Sequence, residues 1–226
     1  MLKHSLTTSD IFLIIINLVP LYGVWFLNWD APQMFLIYCM ESVIIGFFQV
    51  IKLLLLTFFK KYDIWNEDAP GASQQPGLLF VIFFIIHYGF FLLIQLGIFL
   101  SVASISKTVG EDVGVFKFIF HFTDYLQQGS LITLLLFTGA YAILTVKDFI
   151  ITGQYKTASM GLVMFQPYMR IVVQQFVVIV GSLFLSFGAS KIFMLVFVLV
   201  KIFFEIVLPY SKVFDAQLQK TKQPGV

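Results

Sequence analysis

Charge is what this sequence has least of. Only 12% of its residues are Asp, Glu, Lys or Arg, about half the share carried by a soluble globular chain. That excludes an ordinary water-facing surface. The net charge is +2 and dispersed, with no basic stretch interleaved with aromatics, so no nucleic-acid partner is expected. The single cysteine, Cys39, excludes an internal disulfide and any multi-cysteine metal site. It falls inside an apolar run, where it reads as a packing residue rather than a nucleophile. Histidine is scarce too. His4 lies in the N-terminal tail, His121 in a polar segment, and only His87 within an apolar run. A bis-histidine haem needs a second intramembrane histidine, and the sequence offers none. HExxH, a Walker loop, GxSxG and GxGxxG before a helix are all missing, so the common hydrolase and nucleotide-binding signatures give no reaction. No cofactor is expected.

What the chain has instead is apolar length. Of its 226 residues 59% are hydrophobic, and 28 are phenylalanine, more than one water-soluble core of this size would hide. Lipid accepts apolar side chains on every helix face. A transmembrane helix needs about 20 mainly apolar residues, and the runs at about 11–28, 32–59, 77–102, 130–151, 167–187 and 190–209 each qualify. The expected fold is an all-α polytopic transmembrane bundle of six spans, forming one domain over residues 1–226. The first run holds Pro20, which should kink it, and lacks a small-residue cleavage site. It is therefore read as a span and not as a leader.

Three segments lie between the runs. Residues 61–76 (KYDIWNEDAPGASQQP) are rich in turn formers and read as a loop. In residues 112–128, Lys117, His121, Asp124 and Gln128 recur at helical spacing, with Val115, Phe116, Ile119, Phe122 and Leu126 opposite. That pattern predicts an amphipathic helix lying in the membrane surface. Residues 157–168 (TASMGLVMFQPY) are apolar but short, and read as an interfacial or re-entrant piece. With the N-terminus inside, nine Lys and Arg near helix ends fall on the cytoplasmic side and three on the other. The expected placement is therefore a bacterial cytoplasmic membrane with both termini cytoplasmic.

Ionisable residues within spans are costly and usually face the bundle interior. Glu41, Lys52, His87, Arg170, Lys201 and Glu205 are the candidates. At 1.5 Å per residue, Glu41, His87 and Lys201 lie about 13, 15 and 17 Å from an end of their spans. Against a hydrocarbon core of about 30 Å that is near the midplane. The polar residues align within each helix. Glu41, Gln49 and Lys52 share a face, His87 and Gln95 share another, and Lys201 and Glu205 are four apart. The expectation is one cluster of Glu41, His87 and Lys201, and a cytoplasmic-side cluster of Glu205, Arg170 and Gln174. Lys52 and Arg170 lie close enough to the cytoplasmic end to snorkel instead. The first and fourth spans are nearly featureless and are expected to be peripheral. His87 and Glu41 form only a weak metal-ligand pair.

The pieces ESVIIGFFQVIK (41–52), HYGFF (87–91), PYMRIVVQQFVVIVG (167–181) and KIFFE (201–205) resemble a family of bacterial integral membrane proteins of unknown function. The family pattern is an ES-x-x-x-G helix, an HYG-x-F helix, a P-x-x-R helix and a final K-x-x-x-D/E helix. The resemblance implies an intramembrane polar site built from Glu41, His87, Arg170, Lys201 and Glu205, and supplies no activity. The family pattern often carries histidine where this chain has Gln95 and Gln175, and glutamine is a poor transition-metal ligand.

These residues support a protein that binds or transports a proton, an ion or a small polar ligand. Glu41 and His87 would titrate, with Lys201 and Arg170 as fixed counter-charges and Gln95 and Gln174 as polar lining. The alternatives are a structural or accessory subunit, whose partners are the lipid bilayer and another membrane protein or a second copy, and an intramembrane enzyme or metal- or haem-binding protein.

Overall fold

The computed structural model describes residues 8–64, 73–105, 114–126, 128–168, 170–175 and 190–207. Helix α1 (Thr8–Phe26) runs through Pro20 without ending. After it the chain reverses at Asn28, in the left-handed region at φ 54°. The amide of Trp29 donates to the carbonyl of Gly23 at 3.0 Å. The indole of Trp29 then fills the space beside Gly23 and Gly129, where an added Cβ would come within 2.0 and 2.6 Å of it. Two glycines are required here because the ring sits directly against both backbones.

Helix α2 (Ala31–Lys60) begins with a proline in its first turn, where the missing amide costs nothing. At 30 residues it is about 45 Å long and forms the spine of the molecule. It packs along α3 (Gly77–Ile105) and α5 (Gln128–Thr145), and touches α1. Helix α5 continues as a π-turn, Val146–Ile151. Helix α9 (Ser190–Val207) packs on α1 and α2. Between them α8 is helical at residues 168 and 170–175.

Among the described residues, four helices are long and apolar enough to cross a membrane: Thr8–Phe26, Leu36–Lys60, Gly77–Ser101 and Gly129–Ile151. They coincide with the first four expected spans. The fifth, 167–187, lies largely outside the described residues. In the sixth, α9 carries a shorter apolar stretch, Met194–Phe203.

Three segments differ from the sequence reading. Residues 61–76 are not only loop: β1 (Tyr62–Ile64) and β2 (Gln74–Pro76) pair antiparallel, with Asp63 opposite Gln75. The buried Asp63 carboxylate explains why. It accepts from Lys60 Nζ at 2.8 Å and from the Met160 amide at 2.6 Å, so the hairpin caps the start of α7 (Met160–Phe165). Residues 157–168 are accordingly a packed element. Helix α6 (Gln154–Thr157) leads into α7, whose Met160, Val163 and Met164 are buried against α2 and α3. The expected amphipathic helix breaks at His121 into α4 (Val115–Phe120) and a 3₁₀ turn (Phe122–Tyr125). Of the residues expected on the apolar side, Val115, Phe122 and Leu126 pack against the core beside Phe118, while Phe116 and Ile119 are exposed. Six residues are under two turns, too short to hold a continuous face, and Phe118 stacks on Tyr125 across the break at 5.5 Å.

Two apolar clusters lie along α2. One gathers Met34, Ile37 and Tyr38 with Phe99, Phe118, Phe137 and Phe197. The other gathers Leu53 and Leu56 with Phe80, Phe84, Phe149 and Met164. The buried polar residues of α2, which are Glu41, Ser42 and Gln49, fall between them.

Candidate functional site

The polar layer is built outward from Glu41. One oxygen of its carboxylate, Oε2, pairs with the ammonium of Lys201 from α9. The other, Oε1, accepts from the Tyr141 hydroxyl of α5 at 2.6 Å. Both ionic side chains are almost wholly withdrawn from solvent, at 1% and 4% exposure. Lys201 also donates to Asn17 Oδ1 of α1, and its ammonium lies 4.6 Å from the centre of the Tyr38 ring and 5.3 Å from that of Phe137. Ring faces carry negative potential, so they add to the carboxylate in holding the cation. The site is locked from behind. Tyr38 donates from its hydroxyl to the Asn17 carbonyl at 2.6 Å, and Asn17 Nδ2 bonds the Leu13 carbonyl at 3.0 Å.

Arg170 extends the chain on the other side. Its guanidinium donates to the Tyr141 hydroxyl and lies 5.6 Å from that ring's centre. Arg170, Tyr141, Glu41, Lys201 and Asn17 thus form one continuous line of contacts across α8, α5, α2, α9 and α1.

A neutral branch adjoins it. Gln174 Oε1 accepts from Ser42 Oγ and from Gln95 Nε2 at 3.4 Å, and its Nε2 donates to the Tyr38 carbonyl at 3.3 Å. Gln95 is buried beside Cys39, and among the described residues its Oε1 makes no conventional hydrogen bond. Tyr88 donates to the Ser42 carbonyl at 2.9 Å, and its ring covers Gly46, where a Cβ would meet it at 2.6 Å.

The structure therefore brings Glu41 and Lys201 together, links Arg170 to them through Tyr141, and sets Gln95 and Gln174 beside them. His87 has a different setting. Its Nδ1 is 2.9 Å from the Tyr168 hydroxyl, and its ring stacks on Phe83 at 5.0 Å. Of the expected Glu41–His87–Lys201 cluster, the carboxylate and the lysine are in direct contact, and the hydrogen-bond partner of His87 is Tyr168. Among the described residues no three His, Cys, Asp or Glu side chains gather as metal ligands. Glu205 is one turn beyond Lys201 on α9, and its side chain lies outside the described residues, as does its expected contact with Arg170 and Gln174.

Four site residues escaped the sequence reading: Asn17, Tyr38, Ser42 and Tyr141. The first and fourth spans are not peripheral, because Asn17 and Tyr141 touch the ion pair. A signal existed. Asn17 interrupts an otherwise apolar run, and a tyrosine buried in mid-span needs a partner for its hydroxyl.

The residues that carry the resemblance are in contact with one another here: Glu41 with Lys201, and Ser42 and Gly46 with Tyr88. The family model extends this to the whole chain, matching residues 1–224. The chain belongs to the family of unknown function DUF6498. No curated protein and no solved structure matches it. The chemistry of this DUF6498 member must accordingly be argued from its own polar layer.

Proposed function

We propose that this chain is a six-span protein of the bacterial cytoplasmic membrane, with both termini cytoplasmic, that takes up and passes on a proton at Glu41. The observation that carries the reading is a buried Glu41–Lys201 ion pair in an apolar bundle, joined through Tyr141 to Arg170. Desolvating two charges costs several kcal/mol per ion even in relaxed proteins. A packed apolar pair would hold α2 to α9 as well or better, so the charge has a use other than adhesion.

The chemistry follows from the partners. Protonation of Glu41 at Oε2 cancels its attraction for Lys201, which still has Asn17 and two ring faces to hold it. Tyr141 keeps the other oxygen fixed, so the carboxyl stays aimed while its charge changes. Arg170, through Tyr141, and Lys201 stand as fixed counter-charges on either side of the carboxyl. His87, paired with Tyr168, is left out of this step.

The test is reconstitution of the full chain in proteoliposomes loaded with a pH-sensitive dye, with a potential imposed across the bilayer. Wild type should move protons, and Glu41→Gln should not. Equal flux from the two would end the proposal. A second reading, a structural subunit whose polar layer only stitches helices, is favoured by one feature. Both oxygens of Glu41 and the ammonium of Lys201 find partners within the chain.

A further inference from the structure

Lys52 stands apart from this layer. It lies eleven residues beyond Glu41 on the same face of α2, and about two helical turns separate it from the end of that helix. It is half-buried, and its ammonium lies 5.8 Å from the centre of the Phe149 ring. Phe149 is delivered to that spot by the π-turn Val146–Ile151, which turns it inward among Leu53 and Leu56. π-turns inside helices frequently mark functional sites.

Among the described residues no carboxylate forms an ion pair with Lys52 and no acceptor reaches its ammonium. Two charges act on it from farther away, Asp148 attracting and Arg170 repelling. Asp148 is exposed and hydrogen-bonded to Ser9. Its Oδ2 accepts from Ser9 Oγ at 3.2 Å, and Ser9 in turn accepts from Lys147 at 3.1 Å. The contrast with Lys201 is direct. Buried Lys201 has a carboxylate, an amide oxygen and two rings, and half-buried Lys52 has one ring at the limit of a cation–π contact. An ammonium left this way in an apolar helix face lacks its anion.

We infer that Lys52 is the anchor of an anion-binding subsite between α2, the π-turn and α8, which takes a compact oxyanion such as a phosphate group. Phe149 packs beside the ammonium and limits where it can point, and Arg170 adds field from the α8 side. The group can arrive on an anionic lipid headgroup or as a free ion, and its chemistry at Lys52 is the same in both cases. The subsite does not depend on what Glu41 does.

The experiment uses the full chain in nanodiscs and has two arms. In the first, discs of phosphatidylcholine containing some phosphatidylglycerol are released in a mass spectrometer, and the lipid retained on the protein is identified. In the second, discs of phosphatidylcholine alone are titrated with inorganic phosphate while thermal unfolding is followed. Wild type should retain phosphatidylglycerol, be stabilised by phosphate, or both. Lys52→Met should weaken whichever effect is present by about tenfold or more, the loss of one charge-assisted hydrogen bond. Lys52→Arg should keep it, and Lys156→Met, at an exposed lysine of the same end, should leave it unchanged. Retention in the first arm alone assigns the anion to lipid, and stabilisation in the second alone assigns it to a soluble ion. Wild type binding neither, or Lys52→Met binding as wild type does, would overturn the inference. The wild-type result decides even if Lys52→Met fails to assemble.

Discussion

At the scale of single residues, the Glu41–Lys201 pair behaves differently depending on how it is broken. Lys201→Met leaves a carboxylate buried beside Tyr141 with its main counter-charge gone, and Glu41→Gln leaves the ammonium without its anionic partner. Each single change should destabilise the protein by about 3–5 kcal/mol. The double change Glu41→Gln/Lys201→Met should recover most of that loss, because no unpaired charge remains. Equilibrium unfolding in detergent measures all three, and a double variant no better than the singles would show that the two charges are not coupled. Tyr141→Phe removes the hydroxyl joining Glu41 to Arg170 and should cost about 1–3 kcal/mol. At this scale the sequence was only partly legible. A charge inside an apolar run advertises itself, so Glu41, Lys201 and Arg170 stood out. Asn17 and Tyr141 did not, because a neutral polar residue is unremarkable until its partner is known. His87 was visible but misplaced, since helical spacing gives a face and not the neighbour on that face.

Among the elements, two contacts decide how helices register. Tyr88 of α3 seats its ring on Gly46 of α2 and bonds the Ser42 carbonyl one turn away. Gly46→Val puts branched carbons where the ring lies and should cost about 1–3 kcal/mol through overpacking, read by equilibrium unfolding in detergent. The hairpin–α7 contact depends on Asp63 in the same way. Asp63→Ala strips the Met160 amide of its acceptor and should cost about 1 kcal/mol, the usual price of a lost helix cap. Faster amide exchange confined to Met160–Phe165 would be the signature, and unchanged exchange there would remove the cap from the account. The four long helices were legible because twenty apolar residues leave little alternative. The hairpin was not, since turn formers dominate residues 61–76 and the strands are three residues each. The break in the segment 112–128 was not legible either. Its polar residues do recur at helical spacing, but Phe118 is drawn into the core and the helix ends at His121.

For the whole molecule, the layering along α2 is what gives the polar residues their meaning. Two apolar clusters cover them from either end, so a charge change at Glu41 is felt in a region of low dielectric, where electrostatic interactions are strong. The proposed six-span arrangement predicts that single cysteines placed at Ser9 and Lys60, in a Cys39→Ala background, react with impermeant reagent only from the cytoplasmic face. One placed at Leu27 should react only from the opposite face. The central claim is that Glu41 exchanges a proton while buried against Lys201. Infrared difference spectroscopy tests it most directly, by recording the carbonyl stretch of a protonated carboxyl as the pH of the reconstituted protein is stepped. A band that grows as pH falls, reverses when the pH is restored and vanishes in Glu41→Gln is the expected result. A carboxyl spectrum identical in wild type and Glu41→Gln across the accessible pH range would contradict it, leaving the polar layer a device for holding helices together.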